Sequence, residues 1–116
     1  YISSFGVRSV DKLERVSGVA VLLPYTVLKN SNLPERWEVT SDSIAVWVAS
    51  KLDVKEVIKV TDVDGVILNG RLVRRIKASE LAGKDTCIDG FAPKLMVEDE
   101  INMFVCNGLE VGRVKN

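Results

Sequence analysis

The sequence predicts an α/β fold built on a mainly parallel sheet, and three observations along the chain predict it. Gly18 to Leu23 is a continuous apolar run stopped by Pro24, the pattern of a strand buried on both faces. Thr40-Ser41-Asp42 then opens a helix with a wide apolar face, and Val57-Ile58-Lys59-Val60-Thr61 follows as a second, mostly apolar strand. Strand, helix and strand in that order form a parallel unit with a right-handed crossover.

The remaining elements follow from local signals. Ser9 to Arg15 reads as a short helix feeding the first strand, and Asn30-Ser31-Asn32-Leu33-Pro34 as a loop of turn formers. In the central helix, Thr40, Ser41 and Asp42 offer side-chain oxygens to the free amides of the first turn, and Ile44, Ala45, Trp47, Val48, Ala49 and Leu52 supply the apolar face. Asp62-Val63-Asp64-Gly65 turns out of the second strand. Val66 to Leu68 and Leu72-Val73 flank Asn69-Gly70, the signature of a two-residue hairpin that projects as a small flap. Ala78 to Leu81 is one helical turn and Gly83-Lys84-Asp85 a loop. Pro93 to Glu98 is a helix with proline near its first position, where a missing amide costs nothing. Met103 to Cys106 is a third buried strand, ended by Asn107-Gly108. No repeat or linker interrupts this order, so residues 1–116 read as one domain. Three parallel strands with a crossover helix on each side leave a sheet edge open, which implies a missing segment or a homo-oligomer.

Composition narrows the function. With 116 residues, 47% hydrophobic and 28% charged, the chain suits one compact soluble domain. Sixteen Lys plus Arg balance sixteen Asp plus Glu, which leaves no basic surplus for a nucleic acid or an anionic membrane. Histidine is absent, so Ser-His-Asp and Cys-His chemistry is excluded, and carboxylates, lysine or a bound cation must carry any reaction. Cys87 and Cys106 are too few and too far apart for a zinc knuckle, a redox pair or a disulfide framework, and read as two buried free thiols in a reducing cytoplasm. No apolar stretch approaches the ~20 residues of a membrane span, and no signal peptide is visible. The start at Tyr1 and the plain ending Arg113-Val114-Lys115-Asn116 suggest part of a longer protein.

Ligands of open parallel sheets bind beyond the carboxyl ends of the strands, which draws attention to Thr61-Asp62-Val63-Asp64-Gly65. Its carboxylates and glycine suit a ribose hydroxyl or a hydrated Mg²⁺; they equally suit a tight turn. Thr40-Ser41-Asp42 at a helix start suits an anionic ligand, or serves as a cap alone. Lys94 has the compact mobile charge that a transferring phosphate needs, or is a solvated surface lysine. Lys51, Lys55 and Lys59 with Asp53 and Glu56 read as a solvated helix end and loop, and Glu98 to Glu100 as a charged helix end. Arg71, Arg74, Arg75 and Lys77 form a basic cluster on the flap, too short and too poor in aromatics for nucleic acid. Trp37 reads as a loop lid and Trp47 as a core residue. No residue set points to a resident metal.

Taken in order, four stretches carry more information than any one of them: Trp37-Glu38-Val39-Thr40-Ser41-Asp42-Ser43-Ile44-Ala45, Lys59-Val60-Thr61-Asp62-Val63-Asp64-Gly65-Val66, Asp89-Gly90-Phe91-Ala92-Pro93-Lys94-Leu95 and Val105-Cys106-Asn107-Gly108. Together they resemble the second, nucleotide-binding half of the amino acid kinase superfamily over nearly the whole chain. The Trp37 to Ser43 stretch and the Asn107-Gly108 ending look most like the small archaeal and methylotroph branch that includes the methanofuran-pathway kinase of an aminomethylfuran-methyl phosphate.

That resemblance implies a three-layer sandwich of which this chain is a part, and an ATP-dependent, Mg²⁺-assisted kinase acting on a small anionic metabolite such as a phosphorylated furan. It implies that Asp42 holds catalytic lysines in place and that Lys94 stabilises the transferring phosphoryl group. It puts Thr61, Asp62, Asp64 and Gly65 on the nucleotide side, and Thr40 and Ser41 beside the acceptor. The chain lacks the family's N-terminal Lys-x-Gly-Gly-Ser strand end, the Gly-Gly-Gly acceptor loop and the usual final strand. A non-catalytic nucleotide-binding or assembly module that keeps the kinase fold is the alternative.

Overall fold

The computed structural model describes residues 21–22, 33–34 and 39–110. The chain divides into two compact units, Tyr1–Glu35 and Arg36–Asn116. The short helix expected over 9–15, most of the strand over 18–23, the loop start at 30–32, Trp37 and the last residues 111–116 lie outside the described residues. In the first unit Val21 is half exposed, Leu22 is a half-buried bridge residue, and Leu33 and Pro34 have no regular structure.

In the second unit the predicted order appears. Helix α1 is Ser41–Lys51, strand β1 Glu56–Thr61, the hairpin β2 Val66–Leu68 with β3 Arg71–Val73, a 3₁₀ turn Ala78–Glu80, helix α2 Ala92–Asp99 and strand β4 Asn102–Asn107. Strands β1 and β4 pair in parallel, with Glu56 opposite Asn102 and Thr61 opposite Asn107. The hairpin is antiparallel, and Asn69 and Gly70 both have positive φ, 52° and 75°, as a two-residue turn that follows the strand twist requires.

The core gathers both helices on one side. Val46 and Ala49 of α1, Ala92 and Met96 of α2, and Val66, Leu81, Ile88 and Ile101 form one buried cluster, with Val57, Met103 and Val105 of the sheet packed against it. This corrects two expectations. The described helices share one core rather than flanking the sheet, and β4, read as a buried strand, is open on one face together with the mostly apolar β1: Ile58, Val60 and Phe104 are 60%, 55% and 51% exposed. An apolar run shows that both faces of a strand tolerate apolar side chains; where the helices pack decides which face is covered.

Both helices end in left-handed caps. After α1, Asp53 has φ 54°, with Asp53 N–H donating to the Ser50 carbonyl and Val54 N–H to the Ala49 carbonyl. After α2, Glu100 has φ 54°, and Ile101 N–H donates to the Met96 carbonyl while both side chains lie in the core cluster. Glu100 is exposed and pays the left-handed penalty without a compensating contact. Glu100→Gly is therefore expected to raise stability by about 1 kcal/mol, read as a higher urea midpoint at unchanged slope.

Candidate functional site

The carboxyl ends of the parallel pair and the start of α1 lie at the same end of the second unit's sheet. At the end of β1 the chain bends through residues 62–65, and the end of β4 fixes that bend. Gly108 N–H donates to the Thr61 carbonyl at 2.8 Å, the Asn107 side-chain amide nitrogen donates to Asp64 at 3.4 Å, and the Asn107 side-chain Oδ1 accepts from Leu109 N–H at 2.9 Å. A Cβ on Gly108 would come within 2.5 Å of Val60 Cγ1, so close approach accounts for glycine after Asn107.

An open cavity of about 460 Å³ lies beside the bend, lined by Thr61, Asp62, Val63, Gly65, Ile67, Thr86 and Cys87. Of the four residues expected on the nucleotide side, Thr61, Asp62 and Gly65 line it, while exposed Asp64 does not and has a long 3.4 Å contact from the Asn107 side chain. Asp62 is exposed, with only a long 3.4 Å contact from the Thr61 hydroxyl. Cys87 is half-buried rather than buried, and Cys106 is buried; both are free. Burial pushes the Cys87 thiol up from its ordinary 9.0, against the opposing pull of the Lys59 charge, which favours the protonated form.

The second cluster is built on Asp42. It sits in the first turn of α1, where the helix dipole favours an anion, and is 8% exposed. Lys59 reaches across from β1 and places Nζ 2.6 and 2.7 Å from its two oxygens, and Asp89 N–H donates to Oδ2 at 3.0 Å. Lys59 is thus no solvated loop lysine: its side chain is 19% exposed, because alternation along β1 turns Val57, Lys59 and Thr61 towards the helices. Lys55, by contrast, makes the expected exposed pair with Asp53 at 3.4 Å. Trp47 is half-buried, with Lys51 Nζ 5.5 Å from its ring centroid.

Asp89 is a residue that sequence reasoning passed over. Its carboxylate accepts from six donors: Thr40 N–H and hydroxyl, Ser43 N–H and hydroxyl, and the amides of Phe91 and Ala92, at 2.6 to 3.0 Å. One side chain therefore caps α1 and α2 together. Thr40 is the N-cap of α1, as expected: its hydroxyl oxygen accepts from Asp42 N–H at a long 3.4 Å while its proton goes to Asp89 at 2.8 Å. Burial pushes the Asp89 carboxyl up, but hydrogen bonds from Ser43, Ala92 and Thr40 outweigh it and hold the carboxyl below its ordinary 3.8.

The structure does not join Lys94 to Asp42. Lys94 stands exposed in the first turn of α2, its Nζ 5.9 Å from the Phe91 ring centroid, and makes no ion pair among the described residues. What links the two is the segment from Asp89 to Lys94, whose first backbone amide is held by Asp42. Ser41 is exposed and, with Asp42, Ala45, Lys59 and Thr61, lines a cavity of about 320 Å³.

A parallel pair whose carboxyl ends carry a bend with an exposed aspartate and an adjoining cavity, beside a helix start with a paired aspartate, suits an anionic ligand. Comparison with known proteins gives the family. The model of the Amino acid kinase family matches residues 10–103. The chain belongs to this family. It is 37% identical over 100 residues to the [5-(aminomethyl)furan-3-yl]methyl phosphate kinase of Methanocaldococcus jannaschii, a match covering 83% of this chain and 46% of that protein. It is 34% identical over 80 residues to the acetylglutamate kinase of Bacillus thuringiensis (strain Al Hakam), covering 66% of this chain and 30% of that protein. The acetylglutamate kinase of Bacillus cereus (strain AH820) matches at 32% over 80 residues, with the same coverage of 66% and 30%. This amino acid kinase chain thus spans less than half the length of the curated relatives it matches. Its mixed α/β structure with a parallel pair agrees with part of that fold, and among the described residues no helix is long and apolar enough to cross a membrane.

Proposed function

We infer that this chain carries the nucleotide-binding half of an ATP-dependent kinase for a small anionic metabolite. The observation that carries the reading is the bend 61–65, fixed by Asn107 and Gly108 beside a cavity of about 460 Å³, in a chain of a kinase family. The nucleotide occupies that cavity, with Thr61, Asp62 and Gly65 as its contacts and Asp64 holding the shape of the bend. Asp62, exposed at the bend, is the residue that would hold a magnesium ion brought by the phosphates, which would supply charge neutralisation; hard cations of this kind need only one or two carboxylates beside phosphate and water. Asp42 and Lys94 serve the transferring group, and Ser41 and Thr40 lie on the acceptor side, where Thr40 acts through Asp89. No proton-abstracting base is needed when the acceptor oxygen is already anionic; positioning and charge compensation carry phosphoryl transfer.

The name of the Methanocaldococcus jannaschii relative makes [5-(aminomethyl)furan-3-yl]methyl phosphate the first acceptor to try, and the acetylglutamate kinases make N-acetylglutamate the second. A coupled assay of ADP release by the full-length protein, with Mg·ATP and each compound, tests this. Turnover that depends on one of them is expected. ATP binding with no acceptor-dependent ADP release from either compound would favour the non-catalytic module.

A further inference from the structure

We propose that Lys59 is a substrate-facing cation of the phosphoryl-transfer site, held by Asp42 so that its ammonium meets a phosphoryl oxygen. The proposal rests on the kinase reading and adds a residue to it. Stability does not account for a lysine at this position. Its neighbours on the inward face of the sheet, Val57, Met103 and Val105, pack against the core, and an apolar residue at 59 would do so without desolvating a charge. Replacing both members of a partly buried ion pair by apolar groups is commonly neutral or stabilising, so stability does not account for the Asp42–Lys59 pair as a whole, although removing Lys59 alone would leave Asp42 buried and unpaired.

The geometry instead suits a held charge. Asp42 engages the ammonium through both oxygens, at 2.6 and 2.7 Å, and is itself fixed by Asp89 N–H at 3.0 Å. An ammonium has three protons, and beyond Asp42 that of Lys59 has no partner among the described residues. Lys59 and Asp42 both line the cavity of about 320 Å³ that also meets Ser41 at the positive end of α1 and Thr61 at the end of β1. An oxygen of a phosphate entering there finds a preorganised cation and a helix start, at a cost in reorganisation already met by folding.

In the step itself the acceptor oxygen bonds to the terminal phosphorus of ATP as the bond to the bridging oxygen breaks and ADP leaves. Lys59 forms no bond to phosphorus and keeps its proton; it offsets charge on a phosphoryl oxygen. That oxygen belongs either to the nucleotide's transferring phosphate or to a phosphate on the acceptor.

The test uses the full-length protein with Mg·ATP and [5-(aminomethyl)furan-3-yl]methyl phosphate. Lys59→Met and Lys59→Gln are each expected to lower kcat/KM by about 10²-fold or more per folded molecule while still melting cooperatively. A rise in KM for the nucleotide assigns the oxygen to ATP, a rise for the acceptor assigns it to the acceptor, and a fall in kcat alone assigns it to the transferring group. Turnover within about threefold of the parent in either folded variant overturns the proposal. So does a loss in both variants that merely follows the fraction unfolded. Where the parent and Lys59→Met turn over alike but Asp62→Ala/Asp64→Ala does not, only the role of Lys59 falls; where the parent transfers phosphate neither to this compound nor to N-acetylglutamate, the kinase reading falls and takes Lys59 with it.

Discussion

Asp89→Ala is expected to destabilise the protein by about 3 kcal/mol, among the largest effects available to a single substitution here. Loss of one N-cap costs about 1 kcal/mol, a hydrogen bond to a charged group about 1.5 to 3 kcal/mol, and this carboxylate caps two helices at once. Asp89→Asn keeps one acceptor oxygen, so it retains one cap while its amide faces donors of the other; roughly half the loss is expected, read by urea denaturation. The same carboxylate sets a pH dependence. Its folded value lies below the ordinary 3.8, so it binds its proton more readily unfolded than folded. Its contribution is complete above the unfolded value and is lost as pH falls below about 4 through the folded one. Asp89→Asn should flatten the acid limb of the stability profile; an unchanged acid limb would mean that other carboxylates set it.

Asp42→Asn in the full-length protein is expected to lower kcat by about 10²-fold or more with a smaller change in stability than Asp89→Ala. An amide cannot accept two bonds from the Lys59 ammonium, and its nitrogen would face either that cation or Asp89 N–H, both donors. The substitution thus frees the lysine of β1 and loosens the segment that leads to Lys94. Lys94→Ala should lower kcat comparably, and because Lys94 is exposed and unpaired among the described residues it should leave the melting midpoint nearly unchanged. Steady-state kinetics beside a melt of each variant separates the two behaviours; turnover within about threefold for either would remove that residue from the reaction.

The features legible in the sequence are those with local causes. The start of α1 was marked by Thr40-Ser41-Asp42, the hairpin by Asn69-Gly70, and the start of α2 by Pro93; observed elements agree within a residue or two. That the strands run parallel followed from apolar runs separated by helical signals; that β1 pairs with β4 did not. Partnerships across the chain were not legible. Lys59 lies 17 residues from Asp42, and Asp89 lies 46 from Ser43, so no window of sequence holds either pair.

Two weaker signals were nonetheless present. Lys59 shares the parity of Val57 and Thr61, so a lysine had to enter the helix-facing side of its strand. Asp89 stands just before Phe91-Ala92-Pro93, where an aspartate can accept the free amides of a helix start, as it does from Phe91 and Ala92. The covered face of the sheet was missed for a different reason: composition reports how apolar a strand is, and only packing reports which side is used.

The central claim, that the nucleotide lies at the bend 61–65, is tested most directly by calorimetric titration of the full-length protein with Mg·ATP beside the Asp62→Ala/Asp64→Ala variant. Binding by the parent that the folded variant loses by at least tenfold is the predicted result. Equal affinity in the two proteins would place the nucleotide elsewhere and contradict the account.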